Sequence, residues 1–317
     1  MIKNKKKYLF IGFGSIAQKH YKIIKKIDKY SKIYIYNKNK VTSNKISNTI
    51  FIRELSNTLI EQIDYVFILS PSNTHKYYLD FFLQFKKIKI FIEKPLSSTY
   101  TDREFINKKY SRNINRIFIG YNMRFMDTIY FIKKFIKNKK ILNVTVNNIN
   151  NLKYWRKKIY TKSVTSNKKL GGGIILELSH EFDYLFYLFE NLNLLFKKFN
   201  KLSNLKINVE DHVSVIFKCK DFDINLNMNM FSYFKERSIK IFLNNETLVC
   251  DLNRGNIKIF HKDYKIKKKY KFEYDLKTSY ERQFCNFRFN KYIKYNRCKI
   301  DEGIKVLKLL NKIKILV

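Results

Sequence analysis

Residues 8–17 read Tyr-Leu-Phe-Ile-Gly-Phe-Gly-Ser-Ile-Ala, an apolar run that ends in two closely spaced glycines. The run predicts a buried strand at residues 8–12, and the amphipathic residues 16–29 that follow predict a helix. Glycines between a strand and a helix allow a tight turn that points the first helical amides at a phosphate group. The stretch therefore predicts the first strand, turn and helix of a nucleotide-binding fold.

Each small residue of this turn has a task in such a site. Gly12 would make the tight turn, Gly14 would leave the backbone open to a pyrophosphate, and Ala17 would let the helix pack closely on the strand. The amides of Ser15 and Ile16 would face the phosphates. Ala17 is the only alanine in a sequence of 317 residues. Its position here favours a dinucleotide site over an ordinary turn.

The first third of the chain continues to alternate short apolar runs with amphipathic stretches. Further strands are predicted at 32–36, 65–69, 88–92 and 116–120, with a helix at 75–85. Buried strands that alternate with helices are typical of a parallel sheet covered on both faces. Residues 1–121 are therefore predicted to form an α/β domain, a doubly wound Rossmann sheet.

The pattern changes after residue 121. Strands with a period of two are predicted near 141–149, 213–219 and 222–230, and on both sides of a hairpin turn at 253–256. Helices are predicted at 127–139, after the glycines at 171–173, at 279–292 and at 301–313. Residues 122–317 are therefore predicted to form an α+β domain. Its large, mostly antiparallel sheet would be polar and open on one face.

The chain is strongly basic, with 65 Lys and Arg against 26 Asp and Glu and a formal charge of +39. Such a charge first suggests nucleic acid as the partner. However, 54 of the 65 basic residues are Lys rather than the Arg that base readout favours, and they are spread along the chain. One Ala, two Pro and eight Gly stand beside abundant Lys, Asn, Ile, Phe and Tyr, as codons rich in A and T would produce. We therefore attribute the charge to nucleotide bias and expect no specific nucleic-acid partner.

The cysteine pattern bears on compartment and metal binding. Cys219, Cys250, Cys285 and Cys298 form no CxxC motif and no metal-type spacing with the five histidines. A reduced, cytoplasmic protein without a metal site is expected. The apolar run at 8–11 is too short for a secretory signal. No stretch reaches the roughly 18 apolar residues of a membrane span, so no membrane association is expected.

Cofactor preference depends on the end of the second strand, which commonly carries an acidic residue that binds the adenosine ribose of NAD. Here Asn37 and Lys38 follow the strand. Asn37 can bond a ribose hydroxyl without repelling a phosphate, and Lys38 could pair with the 2′-phosphate of NADP. The expected cofactor is NAD or NADP, with a slight preference for NADP.

Further motifs follow predicted strands and glycines. They are the GxGxxA turn at 12–17, Pro71-Ser72-Asn73-Thr74-His75, Glu93-Lys94-Pro95, Gly120-Tyr121-Asn122-Met123-Arg124-Phe125, and Gly171-Gly172-Gly173 followed by Glu177, His180 and Asp183. With them the chain resembles the Gfo/Idh/MocA family of NAD(P)-dependent oxidoreductases, from the first strand to the last helices. It is most similar to members associated with bacterial surface-sugar and sugar-nucleotide pathways.

The resemblance implies that Lys94 holds and polarises a substrate hydroxyl, while His180 is the general base in oxidation or the general acid in reduction. Removing hydride from a carbinol carbon also requires the hydroxyl proton to leave. That step suits a positioned cation and a group that titrates near neutrality. Lys94 also follows the carboxyl end of a parallel strand, where such sheets bind ligands. In the family, the turn that contains Glu93 and Lys94 adjoins the nicotinamide.

Glu177, His180 and Asp183 are three residues apart, so on one continuous helix they would share a face. A carboxylate beside an imidazole raises its pKa and fixes its tautomer. Many family members carry an Asp four residues before the histidine, whereas Glu177 lies three residues before it. Glu177 is therefore expected either to reach the substrate differently or only to orient His180.

The resemblance also implies the other contacts. Pro71 and Asn73 are expected to shape the backbone on the nicotinamide side, and His75 to open a helix beside the cofactor. Candidates for gripping the substrate are Asn122, Arg124, Trp155, Arg156, Tyr160, Glu177 and Asp183. The two arginines would suit an anionic or diphosphate-bearing sugar. A core role for Trp155 is the alternative, and His20 on the first helix is expected to be structural.

These motifs predict a cytoplasmic oxidoreductase that moves hydride between nicotinamide and a hydroxyl or keto carbon of a sugar, sugar nucleotide or related polyol. One alternative is a non-catalytic nucleotide-binding relative, favoured by Asn37 and the shifted Glu177. Another is a nucleic-acid-binding protein, favoured by charge alone. The resemblance also implies a homo-oligomer, a dimer or tetramer, that associates through the open sheet face.

Overall fold

Two β-sheets organise the described part of the chain. The structure is a computed structural model that describes residues 5–37, 49–105, 108–155 and 160–315. One compact unit contains the described residues up to Tyr121, with Tyr280–Ile293 and Arg297–Leu307; the second contains Asn122–Ser279, Lys294–Asn296 and the described residues from Lys308 onward. The predicted second domain, 122–317, thus loses two segments to the first unit. Their apolar side chains, such as Phe287, pack on the first sheet.

Within the described residues, the first unit contains six parallel strands. They are β1 (Lys7–Ile11), β2 (Lys32–Tyr36), β3 (Thr49–Ile52), β4 (Tyr65–Ile68), β5 (Lys89–Ile92) and β6 (Ile117–Ile119). Their order, β3-β2-β1-β4-β5-β6, is that of a doubly wound Rossmann sheet. The predicted fold class is confirmed, although β3, a partly exposed strand at the sheet edge, was not predicted.

Two helices of this unit were predicted, at 16–29 and 75–85, and the structure adds three short ones. The helices are α1 (Ser15–Ile27), α2 (Asn57–Ile60), α3 (His75–Leu83), α4 (Asp102–Phe105) and α5 (Lys108–Arg112). The strand order reverses between β1 and β4. In open parallel sheets, ligands bind outside the carboxyl ends of the strands at such a reversal. A ligand site is therefore expected at the carboxyl ends of β1, β4 and β5.

A row of phenylalanines forms the centre of the first sheet. Phe10, Phe67, Phe91 and Phe118 occupy matching positions on β1, β4, β5 and β6. Neighbouring ring centroids along the row are 5.4, 4.8 and 5.7 Å apart. Offset and tilted ring pairs at such distances stabilise a core beyond their buried area. The Phe-rich composition thus fills the sheet without changing its topology.

The second unit contains eight strands. They are β7 (Ile141–Asn151), β8 (Asn193–Asn200), β9 (His212–Cys219), β10 (Phe222–Asn229), β11 (Phe231–Leu243), β12 (Thr247–Asp251), β13 (Asn256–Phe260) and β14 (Ile266–Lys271). Only the β7–β10 pair is parallel. Alternate residues of β9 and β10 are buried. The predicted mostly antiparallel sheet with a more polar face is confirmed.

The remaining helices are α6 (Asp127–Phe135), α7 (Leu152–Trp155), α8 (Ile174–Glu177), α9 (His180–Phe189), α10 (Asp275–Phe289) and α11 (Ile300–Lys314). α6 ends four residues before the predicted boundary, and Asn138 just beyond it has a φ of 63°. A residue in the left-handed region commonly ends a helix. None of the helices in the described ranges has the length and apolar composition needed to cross a membrane.

Candidate active site

The turn after β1 requires glycine at its first position. Gly12 has a φ of +93°, and a Cβ there would lie 3.1 Å from backbone atoms of Ser70. Its amide donates to the Tyr36 carbonyl oxygen at 2.8 Å, which holds the turn against the end of β2. A side chain would meet both conformational strain and the backbone after β4.

Gly14 lies in open space at the start of α1. A Cβ on Gly14 would have no heavy atom within 4 Å, so nothing in the described fold itself excludes a side chain. Gly14 caps α1, and the first backbone bond of that helix runs from the Gln18 amide to the Gly14 carbonyl. The amides of Ser15, Ile16 and Ala17 precede that bond, as the first amides of any helix do.

This geometry fits the pyrophosphate of a dinucleotide. Open space lies over Gly14, and the first amides of α1 form the positive end of a helix of 13 residues. Ala17 is fully buried, as the predicted helix–strand contact requires. Asn37 follows directly after β2, where a ribose-binding residue is expected. The predicted contact from Lys38 lies outside the described residues.

The loop after β4 is braced by its own side chains. The hydroxyl oxygens of Ser70 and Thr74 are 2.7 Å apart, and the Thr74 hydroxyl donates to the Pro71 carbonyl at 2.8 Å. Asn73 is exposed on this loop. These bonds fix the backbone that carries Pro71 and Asn73, the residues predicted to lie on the nicotinamide side.

His75 joins this loop to the next one. Its Nδ1 lies 2.8 Å from the Pro95 carbonyl oxygen and its Nε2 lies 2.7 Å from the Ser70 carbonyl oxygen. The ring is 1% exposed. Burial lowers the pKa of His75, although both carbonyls favour its protonated form. His75 begins α3, as predicted, and holds two loops together, while its cofactor contact stays a prediction.

The turn after β5 contains Lys94, and hydrogen bonds hold the side chain of the preceding Glu93 in place. The buried Glu93 places Oε1 2.8 Å from His20 Nε2, and its Oε2 accepts the Lys94 amide at 3.2 Å. Lys94 itself is partly exposed at the carboxyl end of β5. A Cβ on Gly120 would lie 3.1 Å from Glu93 Cα, so this glycine allows close approach. The side chain of Glu93 thus bonds to His20 and to the Lys94 amide, and its cofactor contact stays a prediction.

In the second unit, Arg124 and Asp183 do not fit the predicted substrate-gripping role. The Arg124 Nε lies 3.1 and 3.0 Å from the two Asp183 carboxylate oxygens, and its second guanidinium nitrogen lies 2.7 Å from Oδ1. Their side chains are 1% and 0% exposed. Each charge compensates the other inside the unit, as burial demands. Asn122, also predicted to grip substrate, is 1% exposed and donates to the Ser279 hydroxyl at 2.7 Å.

The expected single helix through Glu177, His180 and Asp183 is wrong. Glu177 ends α8 and His180 begins α9, because Leu178 leaves the helical region with φ −98° and ψ 28°. Glu177 and His180 therefore do not share a continuous helical face, and the Asp183 carboxylate turns to Arg124. Both Glu177 and His180 are partly exposed, so they stay available for chemistry.

The glycines before α8 serve packing. Gly173 has a φ of +103°, and a Cβ there would overlap the Glu210 carboxyl group, 2.6 Å from its Cδ. A Cβ on Gly172 would lie 2.6 Å from the Thr165 carbonyl oxygen. The Glu210 carbonyl accepts the Ile174 amide at the start of α8. Burial raises the pKa of Glu210. The glycine run therefore fixes where α8 begins.

The aromatic candidates have different surroundings. Trp155 is 36% exposed at the end of α7, which excludes a core role. The Tyr160 hydroxyl accepts the Lys206 amide at 3.2 Å and so braces a loop. The predicted contact from Arg156 lies outside the described residues. Trp155 and Tyr160 stay predictions as substrate contacts.

One buried network escaped sequence analysis. Glu181 is fully buried, accepts from Asn148 at 2.8 Å, and is held by Arg237 at 2.7 and 2.6 Å. The Glu181 side chain follows the catalytic candidate His180 directly in sequence. In the sequence, Glu181 stands out only as an acidic residue among the apolar residues of α9. That pattern cannot predict a partner such as Arg237, more than fifty positions away.

The comparison with known proteins agrees with these features. Residues 6–121 match the model of the Gfo/Idh/MocA family, described as an oxidoreductase family with an NAD-binding Rossmann fold. Over residues 6–121 the predicted resemblance to this family is therefore confirmed.

Individual proteins are similar to a larger part of the chain. Glucose-6-phosphate 3-dehydrogenase of Bacillus subtilis (strain 168) is 25% identical over 191 residues, 59% of this chain and 54% of that protein. The match thus spans about half the length of this curated relative. The solved structure of a dehydrogenase (MviM) from Clostridium difficile has a TM-score of 0.74 and 21% identity, covering 98% of this chain and 99% of its own.

The WlbA dehydrogenase from Bordetella pertussis, solved with NADH and UDP-GlcNAcA, has a TM-score of 0.72 and 19% identity. The match covers 98% of this chain and 95% of WlbA. At such identities the structural likeness shows a shared fold. The fold that the chain shares with these structures therefore extends over nearly its whole length.

Proposed function

We propose that the chain is an NAD(P)-dependent dehydrogenase or reductase that acts on a hydroxyl or keto carbon of a sugar, a sugar nucleotide or a related polyol. One observation carries the proposal. The open turn at Gly14 and the pinned turn with Lys94 follow the carboxyl ends of β1 and β5 in the same parallel sheet. That edge is where such sheets bind ligands. The family's oxidoreductase description supports the same class.

The cofactor would be held by the chain's own backbone. The amides of Ser15, Ile16 and Ala17 would bind the pyrophosphate, and Asn37 would bond the adenosine ribose. A bound nicotinamide dinucleotide supplies the hydride acceptor or donor. No acidic side chain follows β2 in the sequence, and Lys38 adds positive charge. NAD and NADP therefore both suit this end of the site, with a slight preference for NADP.

Lys94 and His180 divide the remaining chemistry. Lys94 would hold the substrate oxygen with its ammonium group and stabilise the charge that develops there. His180 would take the hydroxyl proton during oxidation and return it during reduction. Glu177, partly exposed at the end of α8, would orient the imidazole or bond a neighbouring hydroxyl of the substrate.

The substrate class rests on relatives and on candidate contacts. The Bacillus subtilis relative is named for a sugar phosphate, and WlbA was solved with a nucleotide sugar. In this chain the partly exposed Trp155 offers a flat apolar face to a sugar ring. Arg156 would supply the positive charge for a phosphate, since Arg124 is committed to Asp183.

Assembly and location complete the proposal. We propose a cytoplasmic homo-oligomer, a dimer or tetramer, that associates through the more polar face of the second sheet. Light scattering coupled to size exclusion would measure the subunit number. A specific nucleic-acid function is not proposed, and affinity for random duplex should fall steeply between low and physiological salt.

A paired fluorescence titration tests the proposal. The protein is titrated with NADH and NADPH, alone and with a panel of sugars, sugar phosphates and sugar nucleotides. Turnover is then followed at 340 nm as a standard nicotinamide signal. Saturable binding with turnover on at least one sugar is the expected result. Saturable binding without turnover on any panel member would favour a non-catalytic relative, and no dinucleotide binding would contradict the proposal.

A further inference from the structure

A buried carboxylate links the proposed cofactor helix to the proposed catalytic turn. Glu93 sits in the turn after β5, and His20 lies in the middle of α1. The two side chains meet at 2.8 Å, between His20 Nε2 and Glu93 Oε1, and are 2% and 9% exposed. The second Glu93 oxygen accepts the Lys94 amide. One glutamate thus bonds both α1 and the backbone of Lys94.

His20 has little freedom to do anything else. Its ring centroid lies 5.0 Å from that of Phe91 and 5.6 Å from that of Phe67, within the phenylalanine row. Its Nδ1 is buried and has no hydrogen-bond partner among the described residues. A ring enclosed in this way has no relay to solvent, so it is suited to holding a position rather than carrying protons. Glu93 Oε1, as a carboxylate acceptor, requires the hydrogen on Nε2.

A second residue of α1 acts on the same carboxylate. Lys19 places its ammonium group 3.8 Å from the Tyr280 ring centroid. Burial lowers the pKa of Lys19, while attraction to Glu93 opposes that change. Lys19 on α1 thus adds positive charge near Glu93. The close approach of Gly120 limits the movement of Glu93. A buried carboxylate held at several points keeps its geometry.

We propose that His20 is a positioning residue: through Glu93 it fixes the backbone of Lys94 relative to α1, the helix whose first amides would hold the cofactor. This inference rests on the proposed function for the role of Lys94. It assigns a catalytic consequence to a histidine that is enclosed by Glu93 and the phenylalanine row. It also explains why a histidine sits on the otherwise apolar buried face of α1.

Two substitutions of similar size separate the hydrogen bond from packing. His20→Gln keeps a nitrogen donor for Glu93, whereas His20→Phe keeps the ring volume and removes the donor. We expect His20→Phe to lower kcat about 10- to 100-fold and to change KM for the dinucleotide less than about twofold. His20→Gln should restore kcat to within about threefold of the parent. Ile24→Val, a buried change on the same helix, should leave kcat unchanged.

A double-mutant cycle distinguishes positioning from general damage. If His20 acts only through Lys94, His20→Phe costs little further activity in a Lys94→Ala background. A structural defect would instead multiply the two losses. Equal kcat values for the Gln and Phe variants, or multiplied losses, would overturn the proposal.

Hydrogen exchange gives a readout that does not require turnover. The Lys94 amide donates to Glu93, so His20→Phe should speed exchange in a peptide covering residues 91–98 by about tenfold, while His20→Gln does not. Peptides from the second sheet serve as the internal control. If the parent protein turns over no sugar, the proposed function fails, and exchange alone decides the positioning role. Unchanged exchange in His20→Phe would overturn it.

Discussion

Arg124 and Asp183 form a bidentate ion pair whose two side chains are 1% and 0% exposed. The arginine precedes α6 and the aspartate lies on α9, so the pair ties together two helices of the second unit. Removing one partner would leave a buried charge without compensation. The pair therefore stabilises the fold of this unit.

Breaking this pair should destabilise the second unit. Asp183→Asn or Arg124→Met is expected to cost about 3–5 kcal/mol of unfolding free energy, and the double variant Arg124→Met, Asp183→Leu should recover much of it. Urea unfolding measures each value. Lys218→Met is the control, because its pair with Asp223 is 3.3 Å long and 43% exposed on both sides; its cost should stay below about 1 kcal/mol. A large KM increase without lost stability in Arg124→Met would instead restore the substrate role.

The two glycines of the first turn should respond differently to alanine. Gly12→Ala combines a φ of +93° with a contact 3.1 Å from Ser70, so it should lose about 1–3 kcal/mol of stability. Gly14→Ala meets open space and should keep its melting temperature. Its dinucleotide Kd should rise at least about tenfold because the methyl group occupies the pyrophosphate path. Unchanged cofactor affinity in a folded Gly14→Ala protein would argue against the predicted site.

Lys94→Ala and His180→Ala should each abolish most turnover. We expect kcat losses of about 10²–10⁴-fold, because each variant removes a charge or proton carrier needed in the transition state. Binding of the dinucleotide should change little, as fluorescence titration can verify. Lys89→Ala, at the opposite end of β5, and His261→Ala, an exposed histidine, are matched controls. Full activity in either catalytic variant would remove that residue from the mechanism.

The pH dependence of stability should carry a contribution from His75. Burial lowers its folded pKa below the ordinary value of 6.5, so the unfolded chain binds a proton more readily in acid. The stability from neutral His75 is thus present above pH 6.5 and is lost as the pH falls below it. Among its neighbours, Glu93 favours the charged ring and Lys94 opposes it.

Urea unfolding of the parent and His75→Gln between pH 7 and 5.5 measures this contribution. The parent should lose about 1 kcal/mol more than the variant over that range, since one histidine proton is linked to unfolding. An equal or steeper loss in His75→Gln would show that His75 does not supply it. His212, whose pKa burial also lowers, is present in both proteins and cancels in the comparison.

Much of the fold could be predicted from the sequence, because the patterns that indicate it involve residues close to one another along the chain. The apolar run before Gly12, the alternation along β9 and β10, and the turn before β13 each occupy a few consecutive residues. The partly exposed edge strand β3 was not predicted. The break at Leu178 was also missed, since apolar spacing continues through it while the backbone does not.

The sequence by itself determined the two sheet types, the glycine turn and the location of Lys94 and His180. Those features follow from backbone conformation and hydrophobic period, which depend on near neighbours. Only the tertiary structure decided which charged side chains pair with each other inside the protein. Asp183 pairs with Arg124, 59 positions away, and Glu93 pairs with His20, 73 positions away. Pairings over such distances depend on how elements pack, because a buried charge takes whichever partner the packing brings to it.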